Sequence, residues 1–315
     1  MDYIILDLEW NQGNTKTEPY EVPPFEIIEI AAVKMSPEYE ILGDFSELIR
    51  PQLYPSLHYM TQKITHIRLE ELKGSKGIAD VMRDFFDWCG TDYIFCTWGD
   101  RDLTELQRNL NYFHVENPFR GPLFYYDLQK LYSLYHYGKK AQVKLETAVE
   151  EQQISQKLPF HRAGNDTYYT ALVMTTIDMK QMQAYYSIDC YRIPEGNGQL
   201  SLTFPGYHKY VSHGFDSREQ LIGNASVTNM ECPVCGRRIR RKIHWFAAAK
   251  NYHLCVAYCQ EHGYMKGKLR VRKTDMGSYY GIKTVKPIKE DTVEEIRERK
   301  RLVRERRRLQ QEKES

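Results

Sequence analysis

ILDLEWN, residues 5–11, is the stretch on which the fold turns. Tyr3–Leu8 is a short apolar run, in outline a buried strand, and it ends in two acids. Strand residues two apart share a face, so Asp7 and Glu9 project together at the strand end. Adjacent carboxylates repel unless a cation lies between them, and hard oxygen donors favour Mg²⁺ or Mn²⁺. Alone, D-x-E is common, and its ordinary reading is two acids exposed at a strand end.

Outward from this strand, EIIEIAAVKM (26–35) and YEILGDFSELI (39–49) read as two more strands, with a Pro-Glu turn between them. Three strands with short connections predict an antiparallel meander. The pattern then changes. GIADVMRDFFDWC (77–89) has helical spacing, YIFCTW (93–98) is strand-like, DLTELQRNLNYF (102–113) is helical, LFYYD (123–127) is a strand, and LQKLYSLYHY (128–137) is helical. A last helix is expected from about Gly164 to Met182. Strands first and strand–helix units afterwards predict an α/β domain, a mixed sheet flanked by helices.

Two further acidic stations follow. In TWGDRDLTEL (97–106) a strand ends in Trp-Gly and a helix begins at an acid, so Asp100 or Asp102 either caps the helix or serves as a ligand. In FHRAGNDTYYTALV (160–173) His161 precedes a helix and Asp166 sits in its first turn, where the helix dipole by itself favours an acid. A histidine beside a metal-held water would be a natural general base.

Taken in order, D-x-E on the first strand, an acid after a middle strand and H-x(4)-D opening the last helix resemble the DEDDh exonuclease family, the DnaQ-like group with an RNase H-like fold. The resemblance covers roughly residues 1–182. EIIEIAAVKM looks like that family's second strand, ITHIRLEEL (64–72) resembles its I-T-x-I segment, and Trp98-Gly99-x-x-Asp102 is similar to the Eri-like and KapD-like branch. The resemblance implies a mixed five-stranded sheet. It implies that Asp7, Glu9, Asp102 and Asp166 hold two Mg²⁺ or Mn²⁺ ions and that His161 deprotonates the attacking water. It favours Asp102 over Asp100 because Leu103 and Leu106 follow it. The activity implied is 3′–5′ hydrolysis of single-stranded nucleic acid, RNA before DNA, with release of nucleoside 5′-monophosphates. DNA 3′-end trimming or proofreading and an inert nucleic-acid-binding module are the rival readings. The chain departs from the commoner pattern after Glu9, where Trp10-Asn11-Gln12 replaces Thr-Thr-Gly. Trp10 either stacks on a base or packs on the sheet.

The 315 residues suggest about two domains. RIPEGNGQ (192–199) is turn-rich. The expected organisation is an exonuclease domain at 1–185, a linker and connecting segment at 186–229, a small β zinc-ribbon domain at 230–288, and a helical or disordered tail at 289–315. Charge separates along the chain. Residues 1–231 hold 21 Lys+Arg against 32 Asp+Glu, net −11; residues 232–288 hold 13 against 2, net +11; residues 289–315 hold 10 against 8, net +2. The basic segment suits a polyanion.

CPVCGRR (232–238) and HLCVAYCQEHGY (253–264) supply the metal spacing. Cys232 and Cys235 form a C-x-x-C knuckle, and Cys259 and His262 a C-x-x-H knuckle. Together they predict one closed, tetrahedral structural Zn²⁺ site resembling a zinc ribbon. Cys255 and His253 compete as ligands. Cys89, Cys96 and Cys190 lack metal spacing and read as core. Arg237, Arg238, Arg240, Arg241 and Lys242 are the expected nucleic-acid contacts. No run approaches the ~18 apolar residues of a membrane helix, and the N-terminus lacks a basic leader. Together with the odd cysteine number, this points to a reduced, cytoplasmic protein without a membrane partner.

Overall fold

A computed structural model describes residues 1–13 and 22–314. The chain divides into two compact units, Met1–Arg192 and Ile193–Ser315.

The first unit runs β1 (Asp2–Gln12), β2 (Phe25–Met35), β3 (Ile41–Leu48), α1 (Tyr59–Thr65), α2 (Leu69–Lys73), α3 (Ile78–Cys89), β4 (Tyr93–Thr97), α4 (Asp102–Tyr112), β5 (Leu123–Asp127), α5 (Leu128–Tyr137), α6 (Leu145–Glu151), α7 (Ala163–Met174), α8 (Met179–Met182) and β6 (Ser187–Asp189). The sheet order is β3-β2-β1-β4-β5-β6. β1, β2 and β3 form the expected antiparallel meander, β4 and β5 add parallel to β1, and β6 closes the edge antiparallel to β5. The sheet therefore has six strands rather than five. The sixth is three residues long, too short to leave a period in the sequence, and lies in the segment expected to be linker.

Apolar alternation along β1 sorts the two faces. Ile4, Leu6, Leu8 and Trp10 join the cluster with Phe85 of α3 and Leu103, Leu106 and Leu110 of α4. Tyr3 and Ile5 face the cluster with Tyr169, Val173 and Met174 of α7. Each large side chain buried in this way contributes roughly 1.5–3 kcal/mol. On the α7 face the odd positions continue as Asp7 and Glu9, so the alternation that builds the core also aims both acids at α7. The helices start and stop for local reasons. The Asp127 side chain accepts the Lys130 N–H and caps α5, and Gly138 ends it in the left-handed region. The long final helix expected to reach Met182 is broken in two, because the Asp178 side chain accepts from the N–H groups of Lys180 and Gln181 and starts α8 afresh.

The second unit runs β7 (Gln199–Phe204), β8 (Tyr207–Ser212), α9 (Arg218–Gly223), α10 (Ala225–Thr228), β9 (Arg240–Ala249), β10 (Tyr252–Cys259), β11 (Gly263–Lys273), β12 (Tyr279–Pro287) and α11 (Glu290–Glu314). Its antiparallel sheet has the order β7-β8-β12-β11-β10-β9. Residues 193–229 thus belong to this unit and are not a linker. β8 pairs with β12, about seventy positions later, and Leu221 and Val227 pack with Leu269 and Val271. Such long-range pairing leaves no local signature. The charged tail is helical, and its first turns are docked: Val293 and Ile296 are buried with Ile243, Phe246, Leu254 and Val256.

Candidate active site and candidate metal centre

Three of the predicted acids converge. Carboxylate oxygens of Asp7, Glu9 and Asp166 lie within 4.8 Å of one another. β1 supplies the first two and the first turn of α7 the third. Asp102 opens α4 beside them, buried, accepting hydrogen bonds from its own backbone N–H and that of Leu8. It lies outside the 4.8 Å group, yet it is the charge that most strongly raises Asp7. Asp100 is exposed. The structure therefore brings Asp102, not Asp100, to the cluster.

Burial and mutual repulsion hold these acids far from their ordinary range. Burial, then the charges of Asp102, Glu9, Asp166 and Glu29, push Asp7 well up. Burial and the charges of Asp166, Glu29 and Asp102 push Glu9 up to about 8. Burial raises Asp102 to about 7, against the lowering effect of its backbone hydrogen bonds. Burial likewise raises Asp166 to about 7, against the His161 N–H. Four acids whose ionisation is opposed in one recess are a poor resting arrangement for a protein and a good donor set for hard divalent cations, whose charge relieves every repulsion at once. The residues present fit such ions.

His161 precedes α7 in the left-handed region, at φ 66°, which costs a non-glycine residue energy unless its surroundings demand it. Here the conformation turns its N–H onto both Asp166 oxygens, at 3.3 and 3.1 Å. Its half-exposed ring places Nε2 3.5 Å from Glu146 Oε1.

Three participants were not read from the sequence. Glu29 stands opposite Glu9 in the β1–β2 register and is buried. It accepts from Arg162 Nε at 3.2 Å and Nη2 at 2.9 Å, and from the Ala163 N–H at 3.2 Å. This pair locks the start of α7, and hence Asp166, to the sheet beside Glu9. The available signal was an acid inside the otherwise apolar EIIEIAAV. Glu146 is the third, and nothing in its sequence context marked it. Arg162→Ala leaves Glu29 buried and unpaired. We expect a loss of about 2–3 kcal/mol, at the low end for a broken buried pair because Arg162 is itself partly exposed, read as a shifted denaturant midpoint.

Trp10 is half-buried, its ring 5.3 Å from that of Phe25, which is the packing reading of this residue. Asn11 is fully buried and ties the following loop to β1: its Nδ2 donates to the carbonyls of Tyr54 and Ser56, and its Oδ1 accepts from the His58 N–H.

In the second unit, Cys232, Cys235, Cys259 and His262 gather with their donor atoms within 4.8 Å of one another. Cys235 Sγ and Cys259 Sγ are 3.8 Å apart, while His262 Nδ1 is 3.6 Å from Cys232 Sγ and 3.5 Å from Cys259 Sγ. A tetrahedron with Zn–S of about 2.3 Å and Zn–N of about 2.05 Å has edges of about 3.8 and about 3.6 Å, so the set fits that ion. Burial opposes ionisation of Cys259, but hydrogen bonds from the His262 side chain, the Glu261 and His262 N–H groups and Cys232 outweigh it and draw the thiol down to about 6. The rival ligands lie elsewhere. Cys255 is fully buried in β10 against Gly267, where an added Cβ would meet its sulfur at 2.6 Å, and burial pushes its thiol up to about 12. His253 is buried six positions before Cys259, outside the cluster.

The expected nucleic-acid contacts are all exposed. Arg237 is paired with Glu261, Arg238 donates to Asn229 Oδ1 at 2.8 Å, and Lys242 lies over the Tyr258 ring at 5.7 Å.

An RNase H-like sheet with two half-buried acids at the end of β1, met by Asp166 of α7 and the buried Asp102 of α4, is the arrangement of a nuclease. The family described as RNase_T, exonuclease, matches residues 4–174, and the chain belongs to that exonuclease family. The probable 3′–5′ exonuclease KapD of Bacillus subtilis (strain 168) is 27% identical over 164 residues, 52% of this chain and 78% of KapD. Among solved structures, the nuclease domain of 3′hExo, a DEDDh family member bound to rAMP, is 21% identical with a TM-score of 0.50, covering 60% of this chain and 96% of that one. A 3′-exonuclease described in 3′-end-specific recognition of a histone mRNA stem-loop is 19% identical with a TM-score of 0.50, covering 60% of this chain and 85% of that one. Both structural likenesses concern the fold. Among the described residues, no helix is long and apolar enough to cross a membrane.

Proposed function

We propose that this chain is a metal-dependent 3′–5′ exonuclease acting on single-stranded nucleic acid, RNA in preference to DNA, and releasing nucleoside 5′-monophosphates. The observation that carries the reading is the convergence of Asp7, Glu9 and Asp166, with Asp102 alongside, in a recess that raises all four. Asp7, Glu9, Asp102 and Asp166 would hold two Mg²⁺ or Mn²⁺ ions. When bound, such ions supply a more acidic water and stabilise charge on phosphorus and on the departing 3′-oxygen. His161 accepts the water's proton at a ring nitrogen, and the Glu146 carboxylate, 3.5 Å from Nε2, steadies the charged ring. The His161 N–H meanwhile holds Asp166 in place.

RNA ranks first on the Eri-like form of the middle motif and on the likeness to structures described with rAMP and with an mRNA stem-loop. In the second unit, Cys232, Cys235, Cys259 and His262 would hold one Zn²⁺ and stiffen a basic surface in which Arg237, Arg238, Arg240, Arg241 and Lys242 meet phosphates. Thiolate ligands require reduced cysteines, which favours the cytoplasm.

The test is 5′-labelled RNA and DNA of one sequence, incubated with Mg²⁺, Mn²⁺ or EDTA, beside His161→Ala. We expect a metal-dependent ladder shortening from the 3′ end, faster on RNA, and about 10²–10⁴-fold slower in the variant, the usual contribution of a general base. Faster DNA cleavage would move the assignment to DNA 3′-end processing. Binding without cleavage under any metal would leave only a binding module.

A further inference from the structure

Residues 297–308, RERKRLVRERRR, carry eight cations and two acids. A solvated charged helix ordinarily neutralises itself through pairs three or four residues apart. α11 does so only in part. Arg297 pairs with Glu294, Arg301 with Glu298 and Glu305, and Arg308 with Glu312. Those pairs take up Glu298, Glu305 and Glu312, the acids beyond its first turns among the described side chains. Among the described residues Arg304, Arg306 and Arg307 form no ion pair, and Lys300 contacts only the His244 carbonyl and the Phe246 ring.

These cations are not spread around the helix. Docked through Val293 and Ile296, α11 leaves a cleft on each side. One, of about 360 Å³, is lined by Lys242 and Ile243 of β9 with Arg297, Lys300, Arg301, Arg304 and a single acid, Glu305, which is paired with Arg301. The other, of about 510 Å³, is lined by Arg218, Lys250, His253, Arg306 and Arg307. A third basic recess, of about 310 Å³, continues along β9 past Arg238, Arg240, Arg241 and His244. Burial and the charge of Arg304 lower Lys300, and burial with Arg270, Lys266 and Arg299 lowers Lys268, as expected of a positive field without counter-charge. β9 is an edge strand, and edge protection explains its own charges. It does not explain those of α11. Beyond Ile296 the helix offers only Leu302, Val303 and Leu309, too few for membrane insertion.

We propose that α11 and β9 form a phosphate-backbone clamp, in which the two clefts flanking the helix hold a nucleic-acid strand. The clamp rests on the reading of this chain as a nucleic-acid enzyme, and it adds to the β9 cations a helix whose sequence alone suggested a solvated tail. Its carriers are Arg304 in one cleft and Arg306 and Arg307 in the other.

The experiment uses the full chain with one equivalent of Zn²⁺, without chelator and without added Mg²⁺ or Mn²⁺, with fluorescently labelled single-stranded RNA several tens of nucleotides long and with an RNA hairpin, titrated at salt concentrations from about 50 to 200 mM. Arg304→Gln/Arg306→Gln/Arg307→Gln is expected to weaken binding at least about tenfold. It should make the slope of log K against log salt shallower by about 2, since each lost contact to a single strand is worth about 0.7. The corresponding triple Arg→Lys variant keeps the charge and should keep the wild-type slope. The hairpin and single-strand arms show which form of backbone the clefts take. Unchanged slope and affinity in the Gln variant, with wild-type binding intact, overturns the clamp and leaves the exonuclease standing. So does equal loss in the Lys variant, which would assign the effect to packing of α11. Polyglutamate competing as well as RNA would transfer the clefts to an acidic protein. A wild-type chain that neither binds nor cleaves RNA or DNA in Mg²⁺ or Mn²⁺ overturns the exonuclease reading itself, and the clamp with it.

Discussion

Asp7→Asn is expected to lower hydrolysis by about 10³-fold or more while making the metal-free protein more stable. Asp7 lies at the junction of the cluster, beside Glu9 and Asp166 and next to Asp102. In the proposed mechanism its carboxylate would donate charge to the bound cations, and several kcal/mol of transition-state stabilisation would depend on that charge. Without metal the same charge only repels. Asn keeps the shape and removes the repulsion, so the first unit should melt a few degrees higher in EDTA. The pH dependence follows from the same groups. Asp102 and Asp166 titrate near 7 and Glu9 near 8 in the folded, metal-free chain, against roughly 4 for unfolded carboxyls. Between those limits the folded state binds more protons than the unfolded state, so stability declines as pH rises from about 4 to about 8. Saturating Mg²⁺ or Mn²⁺ should flatten that decline in the wild type and do less in Asp7→Asn. Calorimetry in EDTA and in Mg²⁺ at pH values across this window reads both effects. A variant that is less stable than wild type in EDTA, or that retains activity, would remove Asp7 from the site.

Cys259→Ser is expected to release the zinc and melt the second unit. Cys259 is the thiol held nearest to ionised, and it sits within 3.8 Å of Cys235 and 3.5 Å of His262. Structural zinc binding is worth roughly 10–16 kcal/mol in isolated fingers. This unit also has apolar clusters of its own, so a loss on the order of 5 kcal/mol or more is expected here, beyond the reach of most single core substitutions. The cluster it would loosen includes Met230, Ile239, Cys255, Met265 and Val285. Native mass spectrometry should count one zinc per wild-type chain and none in the variant, and hydrogen exchange should show β10 and β11 opening while β1 and β4 stay protected. Cys255→Ala is the control. Buried against Gly267 rather than among the ligands, it should keep its zinc. Loss of metal from Cys255→Ala with retention in Cys259→Ser would reverse the ligand assignment.

The contrast between these two sites shows what each level of description decides. The metal knuckles are local: two donors three residues apart, twice, are visible as spacing, and the fold needed only to bring two turns together. The β1 acids are local too, because strand alternation sets their common face. So are the meander and the strand–helix units, which leave their periods in the chain. The resemblance favoured Asp102 over Asp100 through the apolar Leu103 and Leu106 that follow it, and in the structure Asp102 is the buried one of the two while Asp100 is exposed. Glu29 and Arg162 meet across 133 positions and Glu146 reaches His161 from another helix, so neither contact has a sequence period. The pairing of β8 with β12 and the docking of α11 have the same character. A segment rich in arginine and glutamate reads as solvated wherever it occurs, and only its seating on β9 turns it into the wall of two basic clefts. Sequence determined which chemistry the chain carries, because donor type and spacing are local. Tertiary structure decided which acids share charge and which cations remain uncompensated, because those depend on burial and on neighbours far apart along the chain.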